Sequence, residues 1–525
     1  MQLLLSLEGG SSVPLYKKMA NAISTAIQEG TLKPGQVMPS SRELAASMSV
    51  SRLTARRCYE ELTSQGYIKA HSRGKTYVRR DITTRGKQNT QEYTEKSLPK
   101  SDFAKRLIRE EETMPAAMLA SYEQACTPRE MLPYSRFQEC LSEAVRSINS
   151  TEIFAGQDVF GLPALREELQ KLFARTRGIN CSSEQIIVLP TTEGGLDLVC
   201  RLLICNGDVV ATEDPGNHSI RRSLRVHGAE VIPIPLDAEG IDLHSIQKME
   251  SAPKLVYVTP SHQDSSGITM SQSRRSQLLA WAAQNETLIL EDDFESEFRY
   301  GAGPQAAIFS MDKSGSVIYR TNFWSSLYPL VKIGVLIIPQ HLTTLFRNVL
   351  STVQSDTPQL EQLALASFIK RGHYERYLHK AWKVYARRRA ALVHALTKNF
   401  GAYIKINYQT SGTELNARFD RSFEPDSIEK SAFRAGLLLR STKLDYADTA
   451  YPGNEYRVSF SQIDEYMIEE QVKQLRQLLN EKNPDMQTQI EDLHITDVET
   501  DSGKQRDLFV SNTGLPHLHV AREAI

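Results

Sequence analysis

The chain has 525 residues, 40 % hydrophobic and 24 % charged, ordinary values for soluble globular protein and enough for more than one core. Its 62 Lys+Arg and 63 Asp+Glu nearly cancel, which excludes both a polycation that coats nucleic acid along its whole surface and an acidic disordered chain. No apolar run approaches the roughly 18 residues of a membrane span, Met1-Gln2-Leu3-Leu4-Leu5 lacks the basic start of a signal peptide, and six cysteines without C-x-x-C spacing read as reduced thiols, so a cytoplasmic protein is expected.

The near-zero charge is a sum of unlike parts. Residues 1–88 hold 14 Lys+Arg against 6 Asp+Glu, a surplus of +8, and the last 45 residues hold 4 against 9, or −5. A net charge of −1 then leaves −4 for the stretch between, and such separation implies different partners for different segments.

From Pro14 to Gly30, Tyr16, Met19, Ala20, Ile23, Ala26 and Ile27 recur at three- and four-residue spacing. That predicts an amphipathic helix stopped by Gly30 and a Pro34-Gly35 turn. Ser40 followed by Glu43 has the pattern of a capping box and opens a short helix to about Met48. After the turn Ser49-Val50-Ser51, Ser51 can cap a third helix from Arg52 to about Gln65. Ala55, Cys58, Tyr59 and Leu62 would face inward there, leaving Arg52, Thr54, Arg56 and Arg57 for other faces. Two helices joined by a three-residue turn, the second basic at its start, suit a recognition helix for the major groove. Tyr67-Ile68 and Thr76-Tyr77-Val78 flank Arg73-Gly74-Lys75, a hairpin whose basic tip would lie over phosphates. A helical stripe alone is ordinary core and a surface arginine ordinary solvated surface. The order of the pieces is what points to double-stranded DNA.

Val13-Pro14-Leu15-Tyr16, the run from Leu32-Lys33-Pro34-Gly35 to Pro39-Ser40-Ser41-Arg42-Glu43-Leu44-Ala45, Val50-Ser51-Arg52-x-Thr54, Tyr59-Glu60-x-Leu62 and Gly66-Tyr67-Ile68 resemble a GntR-type winged helix-turn-helix. The resemblance implies DNA contacts at Arg42, Arg52 and Thr54, and a close approach of the wing at Gly74. Ser51, Arg56 and Lys75 complete the candidate DNA-binding set. The family usually carries Asn where Leu53 stands.

Residues 81–112 are polar and of mixed charge, and are expected to form a linker, partly helical near its end. From 113 onward buried-strand candidates alternate with helical stretches: Gln185–Leu189, Asp208–Ala211, Glu230–Ile234, Lys254–Val258, Thr287–Leu290, Val317–Tyr319 and Gly334–Ile338. This spacing argues for parallel βαβ units. The stretch from about 345 to 480 reads as helix-rich, with Arg457-Val458-Ser459-Phe460 as one late strand. Residues 481–525 are acidic and aperiodic and are expected to be disordered.

Gly161-x-Pro163-x-Leu165-Arg166, Glu213-Asp214-Pro215-Gly216, Tyr257-Val258-Thr259-Pro260-Ser261-His262-Gln263 and the run Glu291–Tyr300 resemble a fold-type I aminotransferase, in the form carried by MocR-like regulators. The fold class expected is therefore an α+β winged helix over 1–80 followed by a large α/β aminotransferase-like effector and dimerisation domain over 113–480. In that fold a lysine forms a Schiff base with pyridoxal phosphate and then moves the substrate proton. The resemblance places Asp292 against the cofactor's ring nitrogen and puts Ser325, not lysine, at the Schiff-base position. A hydroxyl cannot form an imine, so no covalent cofactor and no catalytic residue is expected.

Other departures accompany Ser325. Lys332 stands where the family has a phosphate-binding Arg, and Pro190-Thr191-Thr192-Glu193 replaces its phosphate turn. Phe294 replaces a Tyr, Asn217 an aromatic, and Asp264-Ser265-Ser266 a Phe-Pro-x. His262 and Arg457 remain, the latter matching the residue that grips a substrate carboxylate. Three readings follow: a dimeric regulator whose lysine-less effector domain answers to some small molecule or serves only as a dimerisation and interaction platform, a regulator holding pyridoxal phosphate noncovalently through Asp292 and Lys332, and a working transaminase. Ser325 favours the first.

Overall fold

The computed structural model describes residues 13–70, 75–79, 100–111, 127–147, 158–191, 193–263, 265–300, 305–353, 358–407 and 411–482. Gly74, most of the expected linker and nearly all of the expected tail lie outside them. The chain divides into two compact units, Met1–Lys100 and Ser101–Ile525.

In the first unit, helices α1 (Leu15–Gln28), α2 (Ser41–Ser47) and α3 (Arg52–Ser64) accompany strands β1 (Val37–Met38), β2 (Ile68–Ala70) and β3 (Thr76–Val78). The strands form an antiparallel sheet ordered β1-β3-β2. The inward residues read from spacing are the buried ones: Met19, Ala20, Ile23 and Ile27 on α1, and Ala55, Cys58, Tyr59 and Leu62 on α3. The capping box at α2 is formed, with the Ser40 hydroxyl accepting from Glu43 N and Glu43 Oε2 accepting from Ser40 N. Ser40→Ala is expected to lower the stability of this unit by about 1 kcal/mol. Chemical denaturation followed by DNA-binding competence would measure it. Strand β1 is too short to leave a periodic signal, and its two residues pair with β3.

The second unit is built on an eight-stranded sheet. Its strands are β4 (Ile186–Leu189), β5 (Val209–Asp214), β6 (Glu230–Asp237), β7 (Gly240–Ile241), β8 (Leu255–Val258), β9 (Leu288–Asp292), β10 (Val317–Asn322) and β11 (Gly334–Ile337). They are ordered β4-β11-β10-β9-β8-β5-β6-β7. The run from β10 through β9, β8 and β5 to β6 is parallel. Strand β11 departs from the expected parallel units, running antiparallel between β10 and β4.

Side-chain alternation sorts the two faces. Leu255, Tyr257, Leu290 and Ile318 pack with helices Gly194–Leu203 and His218–Val226, whereas Val256, Val258, Ile289 and Val317 pack with helix Gln272–Gln284. Helix Asp102–Glu111, at the end of the expected linker, lies on the His218–Val226 helix through Arg106, which donates to Val226 O (2.8 Å) and Asn206 Oδ1 (3.1 Å).

The C-terminal part corrects the expectation of one late strand. Strands β12 (Ile404–Asn407), β13 (Glu414–Phe419), β14 (Leu439–Ser441) and β15 (Glu455–Ser459) form an antiparallel sheet ordered β12-β13-β15-β14. The three extra strands are three to six residues long and each carries polar residues, as in Ile404-Lys405-Ile406-Asn407, so no apolar run marks them. Helix His373–Phe400, of 28 residues, runs from the large sheet's region to this one.

Candidate functional site

The first unit presents the basic start of α3. Ser51 caps it, its hydroxyl accepting from Thr54 N at 3.0 Å and lying 2.8 Å from Thr54 Oγ1. That bond orients the Thr54 side chain and leaves it half-buried, while Arg52, Leu53, Arg56 and Arg57 are exposed. Arg42 is exposed on α2, and Lys75 is exposed just before β3. Arg56 is engaged along its own helix, with Nε 3.0 Å from Glu60 Oε1. Tyr59 donates its hydroxyl to Pro39 O at 2.7 Å, which ties α3 to the turn opening α2 and fixes the angle between the two helices. The unit can therefore offer a rigid helix start, carrying Arg52 and Thr54, to a groove.

In the second unit the candidate site lies at the carboxyl ends of the parallel strands, where open α/β sheets bind ligands. Asp292 is the last residue of β9 and Arg320 its cross-strand partner on β10, so both side chains emerge on the face covered by helix Gly194–Leu203. Both are buried, and Arg320 Nη1 donates to Asp292 Oδ2. The same oxygen accepts from the Tyr257 hydroxyl at 2.7 Å. Arg320 Nη2 reaches Glu193 Oε2 at 3.0 Å, at the start of helix Gly194–Leu203. Burial works against the guanidinium charge, but Asp292 and then Glu193 outweigh it, so the Arg320 pKa is raised. The space bounded by Thr212, Gly216, Asn217, Ile220, Tyr257 and Thr259 measures about 10 Å³, room for one water at most.

The other expected residues have partners of their own. Ser325 is buried in the one-turn helix Trp324–Leu327, and its carbonyl accepts from the Thr127 hydroxyl at 2.8 Å. Lys332 is exposed, its Nζ 5.5 Å from the centre of the Tyr328 ring. His262 is buried with Nδ1 2.9 Å from Ser411 Oγ. Gly412 (φ +87°) abuts that imidazole so closely that a Cβ would come within 2.7 Å of it. Arg457 is buried and bound internally: Nη2 lies 2.7 Å from Asp445 Oδ2 and donates to Ser265 Oγ at 3.2 Å. Asn217 caps helix His218–Val226, accepting from Ser219 N and Ile220 N.

The acidic motifs turn out to be fasteners. Asp214 accepts the backbone N–H groups of Ala447, Asp448 and Thr449 at 2.7–3.0 Å, holding the segment that carries Asp445. Glu291 accepts from Ile308 N and Phe309 N, Asp293 pairs with Arg177, and Glu295 accepts from Thr413 N and its hydroxyl. Sequence reasoning missed Arg320, Asp445 and Arg177. A signal existed for Arg320, because a lone arginine inside the apolar strand Val317–Asn322 requires a buried carboxylate.

Near Ser325, Tyr374 Oη lies 3.2 Å from Ser326 Oγ and donates to Glu297 Oε1 at 3.4 Å, while Glu297 Oε2 is sealed from solvent with no hydrogen-bond partner among the described residues. Burial pushes the Glu297 carboxyl up to about 7. A carboxyl raised in the folded state holds its proton there after the unfolded chain has lost it. Its contribution is thus fully present below about pH 4.5 and lost as pH rises through 7. Glu297→Gln is expected to gain stability relative to the wild type at pH 8 and to lose that advantage at pH 5, read from melting temperatures at both. Equal differences at the two pH values would exclude a buried, titrating Glu297.

Two families match the chain: bacterial regulatory proteins of the gntR family over residues 15–78, and aminotransferase class I and II over residues 133–418, more than half of its length. The probable rhizopine catabolism regulatory protein MocR of Rhizobium meliloti is 28 % identical over 437 residues, covering 83 % of this chain and 87 % of that protein. The HTH-type pyridoxine biosynthesis transcriptional regulator PdxR of Corynebacterium glutamicum is 27 % identical over 389 residues, covering 74 % and 79 %. Among solved structures, Pyrococcus horikoshii kynurenine aminotransferase in complex with PMP superposes with a TM-score of 0.61 at 23 % identity, over 75 % of this chain and 98 % of that one. No helix among the described residues is long and apolar enough to cross a membrane.

Proposed function

On the premise that the chain belongs to the aminotransferase class I and II family and carries a gntR-family domain ahead of it, we propose that it is a DNA-binding transcriptional regulator whose aminotransferase-like domain senses rather than catalyses. Relatives named as regulators, one of them as HTH-type, match 83 % and 74 % of the chain and support the role. Two copies, joined through the large domain, would set two α3 helices on two half-sites of an operator, and the chain would work in the cytoplasm.

The observation that carries the noncatalytic reading is Ser325, in the place the resemblance gives to the Schiff-base lysine. An aminotransferase fold is one that can hold pyridoxal phosphate, but the residues present here do not fit it. A buried hydroxyl cannot take the aldehyde, Asp292 is committed to Arg320 and Tyr257, and the phosphate turn ends in a carboxylate at Glu193. Lys332, exposed beside Tyr328, is the remaining candidate for a phosphate contact. An unidentified small molecule is the proposed signal.

Purified protein mixed with pyridoxal phosphate tests this. The expected result is no visible band that borohydride bleaches and fixes to the chain. A bleachable band at one cofactor per chain would overturn the reading.

A further inference from the structure

We propose that Arg320 and Glu193 are an internal substitute for the two charges of the missing cofactor, so that the pocket is filled by the chain's own ion pairs. The inference rests on the noncatalytic reading above and goes further, naming what occupies the place. By the resemblance, Asp292 is the carboxylate that faces a ring nitrogen and the turn ending at Glu193 is where a phosphate would sit. In the structure a cation stands at the first and an anion at the second, and they are one connected set: Asp292 Oδ2 with Arg320 Nη1, and Arg320 Nη2 with Glu193 Oε2 at 3.0 Å.

Three features make this a built arrangement. Arg320 is in cross-strand register with Asp292, so the pleat itself aims both side chains at the same spot. The strand is otherwise apolar at this depth, and Val317, Ile318 and Tyr319 are fully buried, so nothing in the local composition calls for an arginine. Glu193, its side chain largely exposed, stands at the start of the ten-residue helix Gly194–Leu203, the end whose dipole favours an anion, and its carboxylate turns to Arg320 rather than capping the helix. Asp292 needs a counter-ion because it is buried, with Oδ1 making no hydrogen bond among the described residues. In an enzyme of this fold the pyridinium ring supplies that counter-ion, and here Arg320 does. The domain would then fold with Asp292 paired and no cofactor bound.

The test uses the full chain and pyridoxine 5′-phosphate, which carries the ring and phosphate but no aldehyde, so that stray lysines cannot capture it. Melting temperatures are recorded with and without it for the wild type, R320A/E193S and R320A/E193S/D292N. The wild type is expected to show no shift at millimolar ligand. R320A/E193S should melt lower than the wild type alone and rise by several degrees with the ligand, and D292N should abolish that rise. A wild-type shift as large as that of the double variant overturns the inference, as does a double variant that gains nothing. Should R320A/E193S fail to fold, R320M and R320M/D292N decide. The proposal expects the second to melt above the first, and an equal or lower melt overturns it. Failure here with no bleachable band in the wild type would leave the noncatalytic reading standing, whereas a wild-type band removes that reading itself.

Discussion

Replacing Arg177 with methionine is expected to lower the stability of the large domain by roughly 3–5 kcal/mol, the cost of stranding one partner of a buried ion pair. Arg177 meets Asp293 at two points, Nε to Oδ2 and Nη2 to Oδ1, both at 2.7 Å, and both side chains are almost wholly buried. Methionine keeps the stem and removes the charge, leaving Asp293 with the hydroxyls of Tyr319 and Ser296 as its partners. Denaturation followed by tryptophan fluorescence is the measurement, because the chain's three tryptophans, Trp281, Trp324 and Trp382, all lie in the large domain and report it alone. Arg177→Met/Asp293→Asn supplies the control. With both charges gone, the double variant should recover a large part of the loss, and a coupling near zero between the two sites would deny the pair its role.

That network explains what could and could not be read from the sequence. The winged helix was legible almost residue by residue because its signals are local: the spacing of Met19, Ala20, Ile23 and Ile27, and a cap at Ser51 that starts α3 at Arg52. The parallel strands were legible as apolar runs, since strands covered on both faces need apolar residues throughout. Of sheet β12-β13-β15-β14 only β15 was, because the others are short and carry polar residues that break any apolar run.

The candidate site was half legible. Asp292 and Arg457 could be singled out from the motifs around them, yet their meaning depends on partners that only the fold supplies. Arg320 reaches Asp292 across 28 residues of sequence, and Arg177 reaches Asp293 across 116. Asp445 is close to Arg457 in sequence but stands on a segment positioned by Asp214. Resemblance assigns Arg457 to a carboxylate ligand; the structure gives it a carboxylate from the chain itself. A buried acid announces that a base is near, but not which one, because side-chain pairing across strands is set by register.

Arg52→Ala is expected to weaken binding to an operator by about 1–3 kcal/mol, between several-fold and about a hundred-fold in affinity. Arg52 is the first residue of α3, exposed beside the Ser51 cap and Thr54, and its charge sits where a recognition helix enters a groove. Lys75→Ala, just before β3, should act differently, lowering affinity evenly across sequences and reducing the salt slope by about one. Arg56→Ala should have the smallest effect of the three, because Glu60 already holds that guanidinium. A duplex obtained by selection from random sequence provides the probe, titrated with each variant across a salt series. Unchanged affinity of Arg52→Ala at every salt concentration would reject α3 as the recognition helix. A loss for Arg52→Ala that vanishes on a scrambled duplex would place Arg52 on base edges and not on phosphates alone.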